Sequence, residues 1–161
     1  TKIGKLAFAE CRGLKNITIP NSVTEIEERA FANCSSLESV AISASVTKIE
    51  TLTFYGCSKL KSVTIPSKVT MVGWGAFRLC SSLKEITIPQ SVKVIRSEAF
   101  AECGALKSIT SWNTTPPEIS QSTFSSVSKT IPVYVPAESV ETYKKADGWS
   151  EFCNIVATSA K

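Results

Sequence analysis

Apolar and polar positions along this chain follow a pattern that recurs at one fixed interval. From Leu83 to Cys103 it reads Leu-x-x-Ile-x-Ile-Pro, then Val-x-x-Ile-x-x-x-Ala-Phe-x-x-Cys. The same pattern starts again at Leu60, Leu37 and Leu14, with no insertion or deletion. The apolar positions therefore fall in columns. Leu14, Leu37, Leu60, Leu83 and Leu106 form one, and Ile17, Val40, Val63, Ile86 and Ile109 another. Phe31, Phe54, Phe77 and Phe100 form a third, and Cys34, Cys57, Cys80 and Cys103 a fourth. A unit this short cannot bury its own core and must stack on its neighbours, so each column becomes a ladder through a solenoid.

Within a unit, Ile17-Thr18-Ile19 alternates two apolar β-branched residues with one polar residue, which predicts a short strand. Pro20, Pro66 and Pro89 lack an amide donor and end it. From Val23 the pattern predicts a short extended piece to Ile26, then a tight turn or single helical turn through the Ala-Phe pair. Gly73 and Gly75 in the fourth unit argue against a longer helix there. The Ala-Phe-x-x-Cys side is bulkier than the strand side, so the stack of about five coils is expected to curve, strands on the concave face.

The pattern changes after residue 110. Ser111 replaces an inward isoleucine, Trp112 stands where proline was usual, and the step from Phe100 to Phe124 is longer by one than the steps before it. Ile131 to Val135 reads as a strand and Glu138 to Ala146 as a short helix stopped at Gly148. Val140, Tyr143, Trp149, Phe152 and Ile155 supply an apolar face. Such a segment seals the raw end of a solenoid. The expected organisation is one structural domain, with coils over 1–110, the first truncated, and a cap over 111–161. Because Thr1-Lys2-Ile3 matches Thr24-Glu25-Ile26, the chain reads as starting inside a unit of a longer array.

The repeat L-x-x-[IV]-T-I-P-x-S-V-x-x-I-x-x-x-A-F-x-x-C resembles the BspA-like leucine-rich repeat family of bacterial, largely surface-exposed proteins. The likeness covers Thr1 to about Ile109, and the tail from TTPPEIS to GWSEF is similar to that family's closing segment. The resemblance implies a right-handed leucine-rich-repeat solenoid. It also implies a cell-surface or secreted location and a role in adhesion or protein binding.

Composition narrows the chemistry. The chain has no histidine, which removes the commonest general base and metal ligand. The net charge of +4 is dispersed, so nothing suggests nucleic acid, and no apolar run is long enough to span a membrane. Successive cysteines of the column stand a full repeat apart, unlike the closely paired ligands of structural zinc sites. The column reads as reduced, buried and structural, and Cys153, beside Phe152 and Ile155, reads the same way. The carboxylate pairs Glu27/Glu28 and Glu98/Glu102 read as solvated charges, so no catalytic residue, metal or cofactor is expected.

Recognition is expected where the repeat permits variation. The first units carry charged residues between the core columns, whereas the middle units carry Tyr55, Met71, Trp74, Arg78 and Val94. Aromatic residues with an arginine have the composition of an interface hot spot. Met71 and Val94 share a column and should sit side by side. The alternative is that Trp74 lies flat over Gly73 and Gly75 as part of the structure. The lysines Lys15, Lys61, Lys84 and Lys107 read as a solvated edge, and Thr18, Thr64, Thr87 and Thr110 as ordinary strand residues. The leading expectation is a non-catalytic module that presents a curved surface to a protein or glycan on another cell or host matrix. The alternative is a spacer between other domains.

Overall fold

The computed structural model describes residues 1–159. Its strands are short, parallel and arranged in two ladders along the stack. One ladder is built from β1 (Lys2–Ile3), β3 (Glu25–Ile26), β5 (Lys48–Ile49), β7 (Met71–Val72) and β9 (Val94–Ile95). The other, the main ladder, runs through β2 (Asn16–Thr18), β4 (Ser39–Ala41), β6 (Ser62–Val63), β8 (Glu85–Ile88), β10 (Ser108–Ser111), β11 (Pro132–Val135) and β12 (Asn154–Ala157). A bridge from Thr64 to Thr87 joins β6 to β8, so the main ladder is seven strands deep. The stack is therefore longer than about five coils. Its last two strands come from the tail, where the repeat signature has gone but alternating apolar residues keep the register Ile109↔Val133 and Val133↔Ile155.

The Ala-Phe segment forms overlapping tight turns rather than a helical turn. Its backbone builds a third ladder. Leu6, Phe8 and Glu10 donate to the carbonyls of Glu28, Ala30 and Ala32 in the next coil, at 3.3, 2.8 and 2.7 Å. The same positions repeat the pattern from Arg29, Leu52 and Gly75. The intervening amides bond back within their own coil, as Ala7 does to Gly4 and Ala9 to Leu6. Sending alternate amides in opposite directions requires left-handed backbone. It occurs two residues before the phenylalanine (Leu6, Arg29, Leu52, Gly75, Glu98) and two after it (Glu10, Asn33, Gly56, Leu79, Glu102).

The core is a file of stacked rings. Phe8, Phe31, Phe54, Phe77, Phe100 and Phe124 succeed one another at centroid steps of 5.1 to 5.4 Å, nearly parallel. This is offset stacking, the geometry the ring quadrupole favours. The extra residue before Phe124 is absorbed without breaking the file. The step slightly exceeds the spacing of about 4.8 Å between strands, as the lateral offset of the stacked rings requires.

Beside the rings, Cys34, Cys57, Cys80 and Cys103 are fully buried. Each thiol donates to the phenylalanine carbonyl of the preceding coil: Cys57 to Phe31 at 3.3 Å, Cys80 to Phe54 at 3.3 Å, Cys103 to Phe77 at 3.2 Å. That carbonyl already accepts the amide three residues on, as Phe54 does from Cys57. The thiol fills its second lone pair, which a methyl group could not do. Burial pushes the Cys80 thiol up and that of Cys103 to about 12.

The tail closes the stack with edges and polar groups. Trp149 and Phe152 meet Phe124 at 53° and 81° rather than in parallel, which ends the file. Ser111, at an inward position, lies 2.7 Å from the hydroxyl of Tyr143 on the short helix α1 (Val140–Lys145). Tyr143 donates to the Asn113 carbonyl at 3.0 Å, and Trp149 Nε1 donates to the Pro117 carbonyl at 2.9 Å. The isoleucine is missing there because the buried tyrosine needs a polar partner. Cys153 departs from the reading given it above. It is exposed, because Phe152 and Ile155 take the inward positions on either side and its amide bonds to the Lys129 carbonyl.

Candidate functional site

The position after the phenylalanine is alanine in the early coils, Ala9 and Ala32, and becomes Tyr55 and then Arg78. Two small side chains followed by two large ones leave a depression with one raised wall. A groove of about 360 Å³ runs there, lined by Leu6, Arg29, Leu52, Tyr55, Trp74 and Arg78 among others. It lies over the turn ladder, so its floor is backbone hydrogen-bonded from coil to coil.

Trp74 is 39% exposed and is held by its neighbours. A side chain on Gly73 would come within 2.7 Å of the Glu50–Thr51 backbone, so glycine is needed for the close approach of the two coils. Gly75 adopts the left-handed backbone (φ +58) against the Leu52 side chain. The Trp74 carbonyl accepts the Leu52 amide at 2.9 Å. Tyr55 is half-buried, and its carbonyl accepts the Asn33 amide. Arg78 is clamped by ion pairs to Glu98 and, at 3.9 Å, to Glu102. These three residues therefore share one rigid groove.

Met71 and Val94 are brought together differently. They are paired residues of β7 and β9, both half-buried, with Lys48 next in line. They do not line the groove. The expected surface thus divides into an aromatic groove and a smaller apolar pair on the strand side.

The other candidates resolve into surface electrostatics. Glu27 pairs with Lys2 at 2.7 Å and Glu28 with Lys5 at 3.1 Å. The Lys2 ammonium holds the Glu27 carboxyl below its ordinary value, the opposite of what a general acid needs. These carboxylates border an open cleft of about 460 Å³ where the first strand ladder is interrupted between β3 and β5. In the lysine column, Lys61 pairs with Glu38 at 2.6 Å, and Lys15, Lys84 and Lys107 are exposed. Among the described residues, no cluster of three metal-ligating side chains occurs, and no helix is long and apolar enough to cross a membrane.

Two exposed aromatic residues escaped the sequence reading: Trp112 and Tyr134, both on the tail side of the main ladder. The alternation Val133-Tyr134-Val135 was the available signal, since it places a tyrosine outward between two inward valines.

Comparison with known proteins bears on the whole array. No curated protein sequence matches this chain significantly. A leucine rich cell surface protein of Faecalibacterium prausnitzii is similar at 37% identity over 68% of this chain and 29% of its own, with a TM-score of 0.67. A leucine-rich repeat protein of Bacteroides ovatus is similar at 34% identity over 86% of this chain and 44% of its own, with a TM-score of 0.66. The pneumococcal vaccine antigen PcpA, at 23% identity, shares the fold over 99% of this chain and 39% of its own, with a TM-score of 0.81. The chain thus spans less than half the length of each of these proteins. The sequence profile of the BspA type leucine rich repeat region matches residues 1–144 in six copies, and the chain belongs to that family.

Proposed function

We propose that this chain is a non-catalytic protein-binding module of a bacterial cell-surface or secreted protein, serving adhesion through the groove of Tyr55, Trp74 and Arg78. The observation that carries this reading is the rigid groove itself. It sets two aromatic residues and an arginine against apolar Leu52, on turn backbone bonded from coil to coil. Met71 and Val94, which lie outside the groove on the strand side, provide a second, smaller apolar contact. The similarity to a cell-surface leucine-rich protein supports the location. The partner is a protein, or a glycan carried by one, on another cell or in a host matrix.

Binding of the isolated chain to immobilised host matrix proteins, read by biolayer interferometry, tests the proposal. Trp74→Ala and Tyr55→Ala should each weaken binding by about tenfold or more while leaving the melting temperature nearly unchanged. Normal binding by both variants refutes the groove. A chain that binds nothing across the panel is a spacer.

A further inference from the structure

Trp112 and Tyr134 lie on the outer face of the main strand ladder. Along β10 and just past its end the side chains alternate, with Ile109 and Ser111 buried and Thr110 and Trp112 turned outward. Thr110 pairs with Tyr134, and Tyr134 with Val156. Trp112 is two residues beyond Thr110, the register partner of Tyr134, so the two residues fall on the same outward face in adjacent columns. They are 49% and 37% exposed. Both are fixed from beneath. The Trp112 amide bonds to the Ile88 carbonyl at 3.0 Å, and the residues on either side of Trp112 belong to the buried Tyr143 network.

The two outward columns that hold the pair carry no charge. They run Thr87, Thr110, Tyr134, Val156 and Pro89, Trp112, Pro136, and none of these residues carries a charge at neutral pH. The next column runs Glu85, Ser108, Pro132 and Asn154, adding a hydroxyl and an amide, with one carboxylate at the β8 end. An anionic glycan or a nucleic acid would need cations here, and there are none in the two columns that hold the rings. A second copy of the chain would need far more surface. The two rings together expose roughly 200 Å², against about 800 Å² per partner in a stable interface.

We propose that Trp112 and Tyr134 form a stacking platform for a neutral glycan, a binding site separate from the groove. Pyranose rings present C–H faces edged by hydroxyls. The aromatic pair takes the faces, and Thr87, Thr110, Ser108 and Asn154 take the hydroxyls. The parallel ladder holds these donors and acceptors in fixed rows, so little ordering is required on binding.

Affinity electrophoresis of the whole chain in native gels containing dextran, mannan, β-1,3-glucan or galactan tests this. At least one polysaccharide should retard the protein, equally at low and high salt. Trp112→Ala and Tyr134→Ala should each weaken retardation by about tenfold or more, and Trp112→Phe should keep most of it. Trp74→Ala should leave it unchanged, which separates this site from the groove. Circular dichroism should match the parent, and gels run well below the melting temperature keep any loss of packing from these partly exposed rings apart from loss of binding. The proposal is overturned if no polysaccharide retards the chain, if both alanine variants bind normally, or if binding disappears in salt. Self-association lost on Trp112→Ala, seen by sedimentation, overturns it in favour of a dimer.

Discussion

Replacing a ring inside the phenylalanine file should cost far more than replacing the ring at its end. Phe77 is fully buried, with Phe54 and Phe100 each 5.3 Å away, centroid to centroid. Phe77→Ala removes a ring between two others, and the gap cannot close because three backbone ladders fix the coil spacing. Such a cavity costs about 3–5 kcal/mol, a large part of the roughly 5–15 kcal/mol that typically holds a domain together. At roughly 2–4 °C per kcal/mol for this size, the melting temperature should fall by roughly 6–20 °C. Phe8 is 36% exposed and stacks on Phe31 alone, so Phe8→Ala should cost about 1 kcal/mol. That loss should also stay local, because in a quasi-linear stack the first coil can open without the rest. Urea titration gives the global cost, and amide exchange locates it. Phe8→Ala should speed exchange at Leu6, Phe8 and Glu10, whose amides hold the first coil to the second, and leave the urea midpoint nearly in place. Equal losses from the two variants, or a Phe77→Ala cost below about 1 kcal/mol, would refute the reasoning.

Two further outcomes follow from the buried polar groups and the turn backbone. Burial raises Tyr143 to about 12 and Cys103 to about 12, so the folded chain keeps these protons while the unfolded chain releases them. Stability should be complete below about pH 9 and fall as pH rises toward 12, with Tyr143 alone contributing roughly 2 kcal/mol of the loss. Urea midpoints across this range should flatten in their upper part for Tyr143→Phe, and an unchanged slope would count against the assignment. Ser126 is exposed with left-handed backbone (φ 63). Ser126→Gly should stabilise the chain by about 0.5–1 kcal/mol, strain relief exceeding the extra freedom of the unfolded glycine. Ser125→Gly, without that conformation, should destabilise it; thermal melts of the two variants side by side check the sign.

The core was legible because inward side chains must match from coil to coil. The Leu, Ile, Phe and Cys columns follow from that requirement. The left-handed positions were not legible, since Leu6, Arg29, Leu52, Gly75 and Glu98 share no side-chain character. Their backbone is dictated by alternate amides bonding to the next coil, and a side chain carries little trace of it. The sixth strand of the main ladder was read as a strand of the cap, at Ile131 to Val135, but its place in the ladder and the whole seventh strand were hidden for a related reason. Once β11 and β12 had β10 to pair with, alternating valine and isoleucine sufficed, and neither the Leu-x-x-Ile signature nor the fixed step was needed. Cys153 misled because a cysteine next to phenylalanine suggested the repeating column, whereas the tail has its own register. Of the variable positions, Tyr55, Trp74 and Arg78 fall into one groove. Met71 and Val94 fall on another part of the surface, because two residues of a unit can lie on opposite sides of a tight turn.

The exposed apolar side chains separate into those the fold explains and those it does not. Phe8 belongs to a column that is fully buried from Phe31 to Phe100, and it is exposed because no ring stacks on its other face, while Leu6 lies in the left-handed column, where Arg29 is exposed too. Trp74, Trp112 and Tyr134 lie in coils that are already covered on both sides, at positions that elsewhere carry mostly serine, threonine, proline or charge. Neither stacking nor the closing of the tail requires a large ring there. Because the three ladders satisfy the backbone whatever the outward side chain, substitution at these positions costs the fold little. Under the two proposals above, an aromatic ring at such a position is accounted for by what it meets from outside, and these three rings belong to two surfaces, one over the turns and one over the strands.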